Sequence, residues 1–326
     1  MAISAKDVAA LRKATGAGMM DCKEALNESG GDYDGALDFL RKKGQKVAAK
    51  RADREANEGV VFAKANEAGD KGLVLAVSCE TDFVAKNDDF IAFVDSLGKL
   101  ALENLPATKE DFVALPFDGA TVAEKLVERT GTIGEKIEVS DYQKVEGEKL
   151  ATYVHAGSKI GVVLSYKDGG KDGAQFFRSV AMHIAAMSPS ILSPAEFDAE
   201  LVAKETEAIQ AQIKAENELN EAENLGKPIK NIPQFVSKSQ LTPDVMKKAE
   251  TDIKEALKAE GKPEKIWDKI VPGKLERFVA DNTLLDQERC LLSQFFALDD
   301  TKTVAQAVAD FADGAEIVAF KRAAVG

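Results

Sequence analysis

The sequence predicts an α+β protein with three parts: a small helical N-terminal module, a core in which strands and helices alternate twice, and a polar helical insertion. Three observations carry this. Glycines cut the first ~45 residues into short amphipathic pieces. Strand-like runs at 60–65, 73–79, 137–145, 153–155 and 160–166 alternate with apolar helical segments. From 194 to 274 the apolar positions become sparse. A chain of 326 residues also exceeds what one core usually fills, about 250 residues. The expected division is 1–54 (helical module with linker), 55–145 (first α+β half), 146–193 with 275–326 (second half) and 194–274 (inserted helical hairpin).

In the module, Ser4 with Asp7 has the spacing of a capping box, and Val8 and Leu11 give the first helix its apolar face before Gly16-Ala17-Gly18. A second helix carries Met19, Met20, Cys22, Ala25 and Leu26 and ends at Gly30-Gly31. A third places Tyr33, Ala36, Leu37 and Leu40 on one face and is expected to stop at Gly44. Three such helices bury only a small core, which suits a docking module better than a catalytic one. Residues 46–57, free of glycine and proline, read as a helical linker.

Runs 60–65 and 73–79 are joined by Glu67-Ala68-Gly69-Asp70-Lys71-Gly72, a hairpin signal. Phe90, Ile91, Phe93, Val94, Leu97, Leu100 and Leu102 mark an apolar helix, and a further helix is predicted at 121–129 before a strand at 137–145. The second half repeats the alternation: strands at 153–155 and 160–166 around Ala156-Gly157-Ser158-Lys159, then an apolar helix over 176–187 that stops before Pro189. The repeated order predicts a duplicated α+β core.

Leu201, Val202, Ile209, Ile213 and Leu219 are the few apolar positions that follow, among Glu, Lys, Ala and Gln. A helix so polar pairs with a neighbour and faces water. Pro228 and Pro233 break the segment, Pro243 restarts helix, and Pro263 and Pro272 are expected to break it again. A helix at 303–311 and a closing strand at 316–322 complete the chain.

Composition narrows the function. No apolar run approaches the ~20 residues that span a bilayer, and residues 1–15 lack a continuous apolar leader core, so the expected location is the cytoplasm, with no membrane partner. A net charge of −12 argues against direct nucleic-acid binding; the basic stretch 42–51 reads as a solvated helix end or linker. Cys22, Cys79 and Cys290 are too scattered for a metal knuckle and read as small, partly buried residues. There is no GxxxxGK[ST] phosphate loop and no GxSxG elbow, and Asp168-Gly169-Gly170-Lys171-Asp172-Gly173 reads as a polar turn. Of the two histidines, His183 sits on an apolar helix as a buried residue, and His155 precedes a tight turn and is partly exposed. The chain is thus expected to have no catalytic residue, metal or cofactor.

Thr81-Asp82-Phe83-Val84 stands apart, at a strand-to-helix corner. Two readings are open. The Asp82 carboxylate caps the following helix and the Phe83 ring tucks beneath it, or the corner projects and offers a rigid aromatic wedge with a charge beside it.

Thr15-Gly16-Ala17-Gly18-Met19-Met20-Asp21-Cys22-Lys23-Glu24-Ala25-Leu26 and Cys79-Glu80-Thr81-Asp82-Phe83-Val84-Ala85-Lys86-Asn87 resemble the two signatures of the elongation factor Ts family. The resemblance continues in order through His155-Ala156-Gly157-Ser158-Lys159-Ile160-Gly161, Met182-His183-Ile184-Ala185-Ala186 and Gly261-Lys262-Pro263-Glu264-Lys265-Ile266. It implies a non-enzymatic role: guanine-nucleotide exchange on elongation factor Tu, the GTPase that delivers aminoacyl-tRNA to the ribosome. It implies an N-terminal module like ubiquitin-associated domains, docking on the partner's nucleotide-binding domain through Gly16, Met19 and Met20. It also implies that the 81–84 segment enters near the partner's magnesium site, with Phe83 as wedge, Asp82 disturbing the groups that hold the ion, and Thr81 and Val84 shaping the segment. His155 is a further candidate contact. Residues 217–260 depart from the family pattern as an insertion with its own Pro-bounded segments. The hairpin reads equally as a solvated insertion or as the seam of a homodimer or 2:2 complex.

Overall fold

The computed structural model describes residues 3–223 and 226–326; the start of the leader reading (1–2) and part of the 217–260 insertion (224–225) lie outside the described residues. The chain divides into two compact units, Met1–Ala186 with Gly314–Gly326, and Met187–Asp313.

The first unit begins with three helices. In α1 (Ala5–Thr15) Ser4 and Asp7 form the reciprocal capping box that the spacing predicts, and Gly16 ends the helix at φ 69°, where a Cβ would be strained. α2 (Met19–Glu28) and α3 (Tyr33–Arg51) follow, the latter capped by the Asp32 carboxylate on the Gly35 N–H. Val8, Leu11, Ala17, Cys22, Ala25, Leu26 and Ala36 close the small core.

β1 (Glu58–Ala65) and β2 (Lys71–Cys79) form the predicted antiparallel hairpin, in register from Glu58 opposite Cys79 to Ala65 opposite Gly72. A one-turn helix α4 (Asp82–Ala85) leads into α5 (Asp88–Asn104). Next come α6 (Lys109–Val113), the two-residue strands β3 (Pro116–Phe117) and β4 (Ala120–Thr121), α7 (Val122–Ile133) and β5 (Glu138–Glu146). The second half has β6 (Lys149–His155), β7 (Ile160–Asp168), α8 (Ala174–Met187) and the closing strand Ala315–Ala324. Two three-stranded antiparallel sheets result, one with β2 between β1 and β5, the other with β7 between β6 and the closing strand. The α+β class holds.

Alternation along β1 and β2 sets the layers. Val60, Phe62, Leu73, Leu75 and Val77 pack under Phe90, Phe93, Val94 and Leu97 of α5 and Phe112 of α6. Their neighbours Val61, Ala63, Val74 and Ala76 face Val163 and Ala323 of the second sheet. Both faces are covered, so β2 is an almost unbroken apolar run.

α3 does not stop at Gly44; it runs to Arg51 and takes in the first part of the 46–57 linker. Gly44 is a crossing point, not a terminator. A Cβ on Gly131 of α7 would lie 2.5 Å from the Gly44 Cα, and one on Gly44 would lie 3.3 Å from the Val127 carbonyl oxygen. The two helices touch backbone to backbone there, which only glycine permits.

The second unit opens with α9 (Ala199–Ala222), capped by Asp198. The chain from 226 to 236, without regular structure, returns along it on side-chain amides. Asn217 both accepts from the Lys230 N–H and donates to its carbonyl at 2.8 Å. Asn220 does the same for Lys227, and Gln210 donates to the Pro233 carbonyl. An amide offers one acceptor and two donors, so it satisfies backbone groups that have no strand partner. α9 is therefore backed by a loop, with Val202, Val236 and Leu285 in its core. α10 (Pro243–Ala259) starts at the proline expected to restart helix, and it packs on α11 (Trp267–Asp281). Pro272 was expected to break helix but lies inside α11. It removes the bond to the carbonyl of Asp268, a residue exposed at the helix surface where water can take the place of the lost donor. α12 (Leu284–Arg289), β8 (Phe295–Phe296), β9 (Asp299–Thr303) and α13 (Val304–Phe311) complete the unit.

The glycine crossing yields a paired prediction. Gly131→Ala should cost about 1–3 kcal/mol in urea unfolding, because the methyl meets backbone that cannot move aside. Gly273→Ala, helical with nothing within 4 Å of the added methyl, should instead leave stability unchanged or raise it by up to about 1 kcal/mol. Equal midpoints for the two variants would remove the crossing as an explanation of α3's length.

Candidate functional site

The site is built where β2 ends. Cys79 is fully buried, and its thiol donates to the Thr81 carbonyl at 3.3 Å. Glu80 accepts from Arg51 Nη1 with both carboxylate oxygens at 2.8 Å and from the Lys136 N–H at 2.6 Å. Thr81, extended at the N-cap position of α4, gives its N–H to Glu135 Oε2 at 3.0 Å and its hydroxyl to Glu135 Oε1 at 2.7 Å. That hydroxyl therefore makes no cap bond to α4. Ala85 is buried beneath the turn, and Val84 packs against the first-sheet core. Asn87 caps α5 by accepting the Asp89 and Phe90 N–H groups.

What remains faces outward. Phe83 is 83% exposed. Asp82 pairs with Lys86 at 2.7 Å, one turn along. Neither half of the tucked reading is realised, since Asn87 takes the cap and the ring stands clear of the surface. The segment is also more than a corner: it forms its own helical turn, because Asn87 starts α5 afresh instead of letting Asp82 do so. Lys86, through its hydrogen bond and charge, holds the Asp82 carboxyl below the usual carboxylate range, and Lys159 adds to this. The Lys136 N–H, followed by Arg51, likewise lowers Glu80.

His155 ends β6, exposed, with its Nδ1 2.9 Å from the Tyr153 hydroxyl. Just beyond it, Lys159 pairs with Glu58 Oε2 at 2.8 Å, and Lys159 also acts on Asp82. The β6–β7 turn is thus tied to the start of β1, where Glu58 stands opposite Cys79 at the end of β2. Gly16, Met19 and Met20 lie elsewhere, on the N-terminal module; both methionines are exposed in the first turn of α2. No hydrogen bond, ion pair or ring contact joins them to 81–84 among the described residues. The module is tied to that turn through α3, whose last-turn Arg51 reaches Glu80.

Arg51, Glu80 and Glu135 escaped the sequence reading as parts of the site. Glu80 lay inside a quoted signature; Arg51 and Glu135 carry no local signal, because their partners are distant in the chain.

The remaining chemistry-bearing residues are accounted for structurally. His183 is buried on α8. All three cysteines are buried more fully than expected, and burial pushes the Cys79 and Cys290 thiols up to about 12, far from thiolate nucleophiles. Asp168 accepts the Gly170 N–H and pairs with Lys149, so the glycine-rich stretch is a turn. A cleft of about 850 Å³ beside α1, α3, α5 and α7 is lined by charges that largely pair among themselves: Lys43 with Asp21, Lys125 with Asp118 and Glu128, Arg41 with Glu128. Among the described residues no group of three or more His, Cys, Asp or Glu could hold a metal, and no helix is long and apolar enough to cross a membrane.

Comparison with known proteins gives a consistent result. The family model described as elongation factor TS matches residues 80–232 and 230–326. Elongation factor Ts of Rhodopirellula baltica is 69% identical over 324 residues, spanning 99% of each chain. That of Flavobacterium johnsoniae is 48% identical over 324 residues, again 99% of each, and that of Wolinella succinogenes 43% over 336 residues, 99% of this chain and 94% of its own.

The depressed Glu80 carboxyl makes stability depend on acid in a defined direction. Its folded-state pKa lies below the unfolded value, so the contribution is whole above the ordinary carboxylate range and is lost as pH falls through the folded pKa. Glu80→Gln should lower the urea midpoint at neutral pH, and the gap from the parent should close below about pH 4. A gap that persists unchanged into acid would show that charge is not what Glu80 contributes.

Proposed function

Since the chain belongs to the elongation factor Ts family, and so to the elongation factors of translation, we propose that it is a guanine-nucleotide exchange factor for elongation factor Tu with Phe83 as its wedge. One observation carries the reading: a phenylalanine 83% exposed on a turn that is held from beneath at Thr81 and Ala85. An exposed aromatic contributes little to folding. On docking it gains the full desolvation of a large ring at small entropic cost, since it has few torsions to order.

The mechanism follows from linkage. A protein that binds nucleotide-free partner more tightly than the GDP-bound form must weaken GDP binding by the same factor. Magnesium bridges protein and phosphates in such GTPases, so dislodging the groups that hold it is a direct route to release. In this reading Phe83 displaces partner side chains near the ion. Asp82, half-exposed and paired with neighbouring Lys86, exchanges that pairing for groups of the partner. Thr81 and Val84 hold the turn's shape, and His155 at the end of β6 is a further contact. Gly16, Met19 and Met20 dock the module, the methionines as adaptable apolar contacts. The factor neither binds nor transforms nucleotide, uses no cofactor, and works in the cytoplasm, where translation elongates. Its charge of −12 accords with a protein partner and not a nucleic acid.

Elongation factor Tu loaded with labelled GDP provides the test. The parent chain should accelerate GDP release, and Phe83→Ala should reduce that acceleration roughly tenfold or more. The same variant should keep its folding stability within about 0.5 kcal/mol, as an exposed position allows. A folded Phe83→Ala that releases GDP as fast as the parent would sink the wedge.

A further inference from the structure

We propose that Glu135 is a positioning residue for exchange, aiming Phe83 through a reciprocal carboxylate–amide clasp with the 80–81 segment; this rests on the exchange reading above. The β2–β5 ladder has its last main-chain pairing at Ser78 opposite Glu138. Continuing that register sets Glu80 opposite Lys136 and Thr81 opposite Glu135. At those two positions side chains take over from main-chain rungs. The Glu80 carboxylate accepts the Lys136 N–H at 2.6 Å, and the Glu135 carboxylate accepts the Thr81 N–H at 3.0 Å. Each strand end supplies a glutamate to the other's backbone.

The substitution lets the two strands part while staying joined, and α4 turns out of the gap. α4 needs such a hold. It spans four residues, and its turn is closed by two bonds, Ala85 N–H to Thr81 carbonyl at 3.2 Å and Lys86 N–H to Asp82 carbonyl at 3.0 Å. A single helical turn is not stable by itself. Its C-terminal end is anchored by Ala85 and the start of α5, whereas its N-terminal end is anchored at Thr81, whose N–H and hydroxyl both go to Glu135. Arg51 closes the far side of the clasp on Glu80. Without Glu135 the turn keeps its C-terminal anchor and pivots, carrying Phe83 with it.

A positioning role predicts a specific kinetic pattern. Glu135→Ala should lower the maximal rate of GDP release from elongation factor Tu roughly tenfold, with a smaller change in the half-saturating concentration. Combined with Phe83→Ala it should cost nothing further, because a ring that is absent cannot be misaimed. Glu135→Gln, which keeps an acceptor oxygen, and Thr81→Val, which keeps the N–H, should each lose only part of the rate; both hold the test open if Glu135→Ala does not fold. If Glu135→Gln and Thr81→Val match the parent, or if the losses at 135 and 83 multiply in full, the inference is overturned. A parent that accelerates release while Phe83→Ala is equally fast would instead overturn the wedge reading on which it stands.

Discussion

The first unit depends on one constraint: the β1–β2 hairpin is buried on both faces. Leu73, Val74, Leu75, Ala76 and Val77 are all fully buried, with alternate residues committed to helices on one side and to the second sheet on the other. Burying a side chain of this size stabilises by roughly 1.5–3 kcal/mol relative to exposure, so the register cannot slip without turning both layers inside out. Everything that leaves the hairpin leaves from a fixed point in a fixed direction.

The candidate site exploits that fixity. Cys79 is still core, and four residues later Phe83 faces the solvent. The chain makes that passage without a glycine and without a long loop. The backbone groups freed where the ladder ends are met by Glu80 and Glu135, both half-buried and both hydrogen-bonded to backbone N–H groups. Bonds to an ionised carboxylate are roughly twice as strong as neutral ones. Short charged clamps thus stand in for a strand that can no longer pair, and the aromatic residue is presented on a stiff support. A support already ordered before any contact leaves less conformational entropy to lose on binding.

Much of this was legible in the sequence, for identifiable physical reasons. Helix ends with local chemistry were readable: Ser4 with Asp7, and the proline that opens α10, are contacts within one turn. The β1–β2 hairpin was readable from alternation and turn residues. Features decided by distant partners were not. Gly44 has the residue type of a helix stop, and only Gly131, 87 residues away, makes it a crossing. Pro272 has the residue type of a break, yet the carbonyl it leaves unpaired can turn to water. At the site, Phe83 and Asp82 were visible as an unusual pair, but whether they tuck or project turned on Asn87 taking the cap. Glu135 and Arg51 had nothing to distinguish them from other surface charges, since their roles exist only across 54 and 29 residues of separation.

Those long-range ties also join the N-terminal helices to the turn that carries Phe83. The module touches the rest of its unit through the α3–α7 crossing, and α7 leads within two residues into Glu135. The end of α3 reaches the same place by the other route, Arg51 to Glu80. The module is therefore tied to the 80–81 segment by two paths, one of backbone contact between glycines and one of paired charge. They differ in what weakens them. The helix crossing is insensitive to salt and is strained by a methyl group at Gly131. The ion pair tolerates small displacements, but acid removes it when Glu80 takes up a proton. With both in place α3, which packs on α2, is held at its middle by α7 and at its last turn by Glu80.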